Sequence, residues 1–318
     1  NNFAISFFFF TFARKMEKKN MRKILFAAML STAVWAAEIP DHVVAVGGLI
    51  RVAQCVKFAG DTIQYHLSDN FLASMQVMEY DRSFLASRIL LDGFNGNLII
   101  SGAFGLFRKD VVIACGGYAN NTLGEDMELV AKMHVFCRNN QRKYAIRYEP
   151  NAVCWSQAPS SLGDLMKQRR RWHLGLLQCM WRYRFICLKP LYGFVGSLSY
   201  LYYLFYELLS PIIEVFGLGV TLIAGLVGRL SVAFMIRFYL LFAIYGTILT
   251  ITAFFQRIYT QNLKISRSDI FRACLMCLIE NVFFRFVLDY VRFMAFIGYG
   301  KRKNQWGSIK RFKHSEAK

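Results

Sequence analysis

The spacing of apolar positions changes repeatedly along this chain, and each change predicts an element. Val43-Val44-Ala45-Val46 is a β-branched run closed by Gly47-Gly48, the pattern of a buried strand entering a turn. Over 71–91, Phe71, Met75, Met78, Leu85 and Ile89 recur at helical spacing and predict an amphipathic helix. Leu98-Ile99-Ile100 predicts a second buried strand, opening into the small-residue loop Ser101-Gly102-Ala103, with 104–109 as a further extended piece. Thr122 and Glu125 have capping-box spacing, so a helix is expected from Glu125 to Arg138, burying Val130, Met133 and Cys137. Residues 144–149 and 152–155 predict two short strands divided by Pro150-Asn151. Ser161 and Asp164 repeat the capping-box spacing and open a helix to Arg182. Its apolar face would carry Leu162, Leu165, Met166, Trp172, Leu176 and Met180. Strands alternating with helices predict an α/β layer.

After Pro190 the pattern changes. Residues 191–210 are rich in Tyr and Leu and include Glu207, as in a helix lying at a membrane interface. Residues 211–229 and 232–255 each approach the length of ~20 apolar residues that a spanning helix needs. Residues 270–299 are apolar but carry Arg272, Glu280, Arg285, Asp289 and Arg292, so this helix is expected to lie along the membrane or dip into it.

Composition agrees with a membrane protein: 55% of residues are hydrophobic and 16% aromatic. The net charge of +19 is unevenly spread, crowded into 138–184 and 301–318. Basic clusters beside apolar spans predict cytoplasmic segments facing anionic lipid. No zinc-finger or aromatic RNA-binding signature accompanies the charge, so nucleic acid is not an expected partner. Cys274 and Cys277 form a C-x-x-C inside an apolar helical run with no second pair nearby, which points to helix packing rather than zinc. Residues 21–37 have a signal-peptide pattern, but secretion would carry the Arg-rich region to the wrong side of the membrane. The stretch is therefore read as a helix of a truncated domain or an altered N-terminus.

Two motifs carry chemistry. Gln168-Arg169-Arg170-Arg171-Trp172 sets guanidinium groups beside an indole and an amide, which suits a diphosphate with an attached planar base. Gly124-Glu125-Asp126 puts carboxylates at the start of a predicted helix, where free amides favour negative charge and a base could take a proton from a sugar hydroxyl. Each also has an ordinary explanation, a basic helix face on a membrane and helix-terminus charge. Glu128, two residues beyond Asp126, is expected to point away from such a site.

These stretches, with Val44–Gly48, Ser101–Lys109 and Gly116-Gly117-Tyr118, match in type and order the membrane glycosyltransferases of family 2. That family includes the cellulose, chitin, hyaluronan and poly-N-acetylglucosamine synthases. The resemblance covers most of the chain after residue 40 and includes a tail like Trp306–Arg311. It implies a partial GT-A-like (nucleotide-diphospho-sugar transferase) α/β domain followed by transmembrane and interfacial helices. On this reading 1–40 is an atypical or truncated segment, 41–190 the acceptor-side half of the GT-A domain, 191–299 the membrane region and 300–318 a basic cytoplasmic tail.

The resemblance further implies Asp126 as catalytic base with Glu125 its partner. Gln168, Arg169, Arg171 and Trp172 become nucleotide-diphosphate and acceptor-channel contacts, and Ser101, Gly102 and Ala103 the loop at the acceptor. The donor is expected to be a nucleotide sugar, usually UDP-linked, and transfer to invert the anomeric carbon. The acceptor is expected to be a polysaccharide or a lipid-linked sugar at the cytoplasmic membrane. The family also implies Mg²⁺ or Mn²⁺, yet its Asp-x-Asp ligand motif occurs nowhere in this sequence. The expected function is therefore inverting sugar transfer, inactive in this chain alone. Single-sugar transfer to a lipid carrier, or a degenerate membrane protein, are the alternatives.

Overall fold

The computed structural model describes residues 39–59, 62–260 and 263–297. The signal-peptide-like stretch 21–37 and the basic tail 301–318 lie outside them.

The first strand, β1 (Val43–Val52), is longer than its β-branched run because it continues through Gly47 and Gly48. These glycines permit close approach instead of making a turn. A Cβ on Gly48 would lie 2.4 Å from the Phe104 ring and 2.7 Å from the Ala152 carbonyl oxygen. β2 (Val56–Ala59) and β3 (Thr62–Tyr65) form an antiparallel hairpin. β4 (Gly105–Phe107) pairs antiparallel to β1, and β5 (Ala145–Ser156) pairs parallel to it, giving the order β4-β1-β5. The two strands expected over 144–155 are one. Gly48 faces Glu149 while Leu49 faces Val153, so Pro150-Asn151-Ala152 are extruded as a bulge.

The stretch Leu98-Ile99-Ile100 is buried at its first and last residues but is not a strand. Side chains meet carbonyls here instead of a ladder: Arg88 donates to the Ile99 carbonyl at 2.6 Å, and His134 Nε2 lies 2.9 Å from the carbonyl of the preceding Asn97. Between β3 and this stretch runs α1 (Phe71–Arg82), which continues as a π-helical turn (Ser83–Ser87) and a last α-turn (Arg88–Asp92). The loop that follows covers the free edge of β5, where Asn95 and Asp92 accept the Ile146 and Tyr148 amides at 2.7 and 2.8 Å.

α2 (Lys109–Ala114), α3 (Glu125–Asn139) and α4 (Leu162–Arg182) complete the α/β layer. Val44, Ala45 and Ile146 of the sheet pack on Leu129, Val130, Met133 and Cys137 of α3, which confirms the expected stripe. Ser161 caps α4 by accepting the Asp164 amide at 3.2 Å. Thr122 does not cap α3, because its hydroxyl is 3.0 Å from Gln178 Oε1 and Gly124 takes the cap position.

Residues 195–208 form π-helical turns (Val195–Ser199, Tyr202–Leu208), followed by α5 (Ser210–Leu226), α6 (Val232–Thr260), α7 (Arg267–Ile279) and α8 (Arg285–Phe296). Among the described residues, α6 alone is long and apolar enough to cross a membrane. The pair Val195–Leu208 and α5, bent by 48°, passes the same test only when taken together. Phe216, Leu222, Phe234, Phe238 and Leu241 on α5 and α6 are all exposed. The other end of α6 is buried: Phe254 joins Val77 and Met78 of α1 and Ala273 and Cys277 of α7 in one core. Cys277 packs against the Met78 sulfur at 3.5 Å, so this C-x-x-C cysteine serves packing.

Candidate active site

Asp126 stands in the first turn of α3, half-buried. Its Oδ2 accepts the Gly102 amide at 3.0 Å and its Oδ1 the Met127 amide at 2.8 Å. The first bond joins the expected base to the Ser101-Gly102-Ala103 loop, within which Ala103 N donates to Ser101 Oγ at 3.4 Å. Burial pushes the neighbouring Glu125 carboxyl up from its ordinary value. Its own backbone amide and Arg171 oppose that shift, and the Asp126 charge adds to it. Arg171 of α4 thus acts electrostatically on Glu125, as the smallest of these influences. Tyr118, half-exposed, is held above the ordinary phenol range first by burial and then by Asp126 and Glu125.

Two α4 residues outside both motifs bring α4 to α3. Gly175 leaves room for backbone contact, since a Cβ there would meet Gly124 N at 2.7 Å and Gly124 Cα at 2.8 Å. Gln178, one turn further on, accepts the Leu123 amide at 2.8 Å. Sequence reasoning missed both residues. A glycine in the interior of a long helix costs about 1 kcal/mol relative to alanine and is the signal that could have found the first.

The four α4 residues expected at a nucleotide divide. Gln168 is half-buried, and its Oε1 has no hydrogen-bond partner among the described residues. Trp172 is 41% exposed. Arg169 is buried, and both its Nη atoms are bound to Glu79, at 2.8 and 2.6 Å. Glu128 does point away from Asp126, but into a cluster. It accepts Tyr183 Oη at 2.8 Å and pairs with Arg182 and Lys132, each at 3.2 Å.

No group of three His, Cys, Asp or Glu side chains among the described residues is arranged to hold a metal ion. Both Asp126 oxygens are already occupied by amides.

The sequence model of glycosyl transferase family group 2 matches residues 50–259. The chain belongs to that family. It is similar to the poly-β-1,6-N-acetyl-D-glucosamine synthase of Staphylococcus aureus strain COL, 39% identical over 97 residues, which are 29% of this chain and 22% of that protein. The Staphylococcus epidermidis synthase is 38% identical over 86 residues, 26% of this chain and 19% of the relative. The chain thus spans about a fifth of the curated relatives it matches. A mannosyltransferase of Pyrobaculum calidifontis, solved with GDP-Man and Mn²⁺, aligns over 78% of this chain and 56% of its own, with TM-score 0.42 and 14% identity. Family membership is thus shown over residues 50–259, and the likeness to the synthases extends over about a fifth of their length.

Proposed function

We propose that this chain supplies the acceptor-side half of a GT-A glycosyltransferase domain at the cytoplasmic face of a membrane. The reaction is inverting transfer of a sugar from a UDP-linked donor to a growing polysaccharide. Asp126 is the base. The observation that carries this reading is the 3.0 Å bond from Gly102 N to Asp126 Oδ2, which holds the carboxylate at a small-residue loop in a family 2 chain.

The acceptor hydroxyl gives its proton to Asp126 as its oxygen attacks the anomeric carbon from the face opposite the diphosphate, inverting that centre. Glu125 precedes Asp126 in the same helical turn. Arg171 offers charge to the diphosphate, and the unpartnered Gln168 Oε1 offers an acceptor to a sugar hydroxyl. α6 supports membrane association by its length and exposed apolar surface.

The test is a fusion of this chain to the donor-binding half of a poly-N-acetylglucosamine synthase, assayed with radiolabelled UDP-N-acetylglucosamine. Asp126→Asn is expected to reduce transfer by ~10²–10⁴-fold with UDP affinity little changed. Arg171→Ala is expected to weaken UDP binding instead. Near-normal transfer by Asp126→Asn sinks the assignment. Product length separates polymer synthesis from single-sugar transfer, and no transfer by any fusion favours a degenerate scaffold. The chain alone is expected to bind UDP poorly, and micromolar affinity in calorimetry would contradict this.

A further inference from the structure

The last turn of α1 carries Glu79, Asp81 and Arg82, and each is paired with residues much later in the chain. Arg82 donates to both oxygens of Glu280, at 2.6 and 2.8 Å. Asp81 meets Arg257 of α6 at 3.0 Å, both residues being buried. Glu79 takes the Arg169 fork at 2.8 and 2.6 Å and, on the same Oε1, Arg292 of α8 at 3.3 Å. Two of these pairs join helices and touch no ring of the candidate site. The third differs.

The Arg169 guanidinium carbon stands 4.6 Å from the centroid of the Trp172 ring and 5.9 Å from that of Tyr80. Tyr80 lies 6.5 Å from Trp172, tilted by 35°. Arginine's planar fork fixes the plane of the group once a carboxylate holds it in two-point contact. A guanidinium held in this way is a floor for an indole. Trp172 is supported from below by Arg169 and Tyr80 while part of its ring stays open.

We propose that Glu79, through Arg169 and together with Arg292, is a positioning residue that fixes the Trp172 indole, whose contact with an acceptor saccharide is what the family resemblance implies. The acceptor part rests on the functional reading above. The positioning part rests on the contacts alone. Because Arg292 belongs to α8, the indole is fixed only when that helix is seated. A carboxylate is required at position 79 because a neutral amide can match neither the two-point contact nor the second cation.

The experiment uses the full chain in detergent, with Trp35, Trp155, Trp181 and Trp306 replaced by Phe so that Trp172 alone fluoresces. Emission wavelength, acrylamide quenching and titration with a β-1,6-linked N-acetylglucosamine oligosaccharide are the readouts. Glu79→Gln is expected to red-shift the emission, raise quenching and weaken oligosaccharide binding by about tenfold. Arg292→Gln should shift emission in the same direction, and Arg292→Lys should restore it. Glu280→Gln breaks the neighbouring Arg82 pair in the same layer and is expected to lower the melting temperature while leaving Trp172 emission unchanged. If Glu79→Gln leaves emission and quenching as in the parent, or shifts them no more than Glu280→Gln does, the positioning role is overturned. If emission shifts but the parent binds no oligosaccharide, the acceptor reading fails and the positioning role stands.

Discussion

Gly175 of α4 lies against the backbone of Gly124, the residue that caps α3 just before Glu125 and Asp126. A side chain at Gly175 would require the two helices to part, because its Cβ would lie 2.7 Å from Gly124 N and 2.9 Å from the Leu123 carbonyl carbon. The expected acids and the Gln-Arg-Arg-Arg-Trp run thus face one another through a contact made of glycine.

Gly175→Ala is therefore expected to lower the melting temperature, by the equivalent of about 1–3 kcal/mol of overpacking, despite alanine's better helix propensity. Gly163 of the same helix has nothing within 4 Å of its would-be Cβ. Gly163→Ala should be neutral or stabilising, by up to about 1 kcal/mol. Thermal unfolding of the two variants in one detergent checks the pair of signs. Equal behaviour would mean that the helix contact at Gly124 is not tight.

Glu128 lies close to Asp126 in sequence, yet the two are expected to answer mutation differently. Glu128→Gln keeps an acceptor for Tyr183 but loses the charge that Arg182 and Lys132 meet at 3.2 Å. It should cost about 2–3 kcal/mol of stability. Asp126→Asn, at a half-exposed helix start, should cost little. Denaturant melts that rank these two in the opposite order would contradict the assignment of Glu128 to the inter-helix cluster.

How much of this was legible in the sequence depends on whether a residue's partner is local. Ser161 and Asp164 are three residues apart, so their spacing alone predicted the cap that forms. Thr122 had the same spacing with Glu125, but its hydroxyl is taken by Gln178, 56 residues away, and periodicity carries no trace of that partner. Val130, Met133 and Cys137 were readable because burial on one helix face follows the helical period. Gly47-Gly48 was misread as a turn because glycine marks both turns and close contacts, and only the Phe104 ring distinguishes them. Arg169 shared a motif with Arg171, but Glu79, 90 residues upstream, draws the former inward. Among the charges over 270–299, Glu280 and Arg292 find partners on α1, about 200 residues upstream, which the charge pattern does not show.

The pH dependence of folding is expected to pass through His134. It is buried, its Nδ1 is 2.8 Å from Tyr144 Oη and its Nε2 2.9 Å from the Asn97 carbonyl. Burial pushes its pKa down to about 4, against the pull of the Asn97 carbonyl, from an ordinary 6.5. The unfolded chain thus binds the proton that the folded chain refuses. Stability from this group is complete above pH 6.5 and is lost as pH falls towards 4, by about 3 kcal/mol in all. Burial and Arg292 push His173 down to about 3, which adds a slope of the same sign. Unfolding at pH 7.5 and 4.5 should show a smaller acid loss for His134→Gln than for the parent. An unchanged loss would mean that the acid sensitivity lies elsewhere.

The orientation of α6 follows from which of its ends is held. Arg257, near its C-terminal end, is buried against Asp81, so that end abuts the α/β layer where the candidate site lies. Its 29 residues extend about 43 Å, enough to cross a hydrocarbon core of about 30 Å and leave the Arg257 end among the headgroups. Nucleotide sugars are cytoplasmic substrates, so on the proposed function the C-terminal end and the cations Lys264 and Arg267 face inward. Ser231, between α5 and α6, then faces outward. In intact cells expressing the full chain, a membrane-impermeant maleimide should label Ser231→Cys and miss Ser266→Cys until the cells are permeabilised. The eight native cysteines should be silent from outside for the same reason, which sets the background. Outside labelling at 266 together with silence at 231 would reverse α6. It would also put the candidate site away from its donor, contradicting the proposed function as well as the topology.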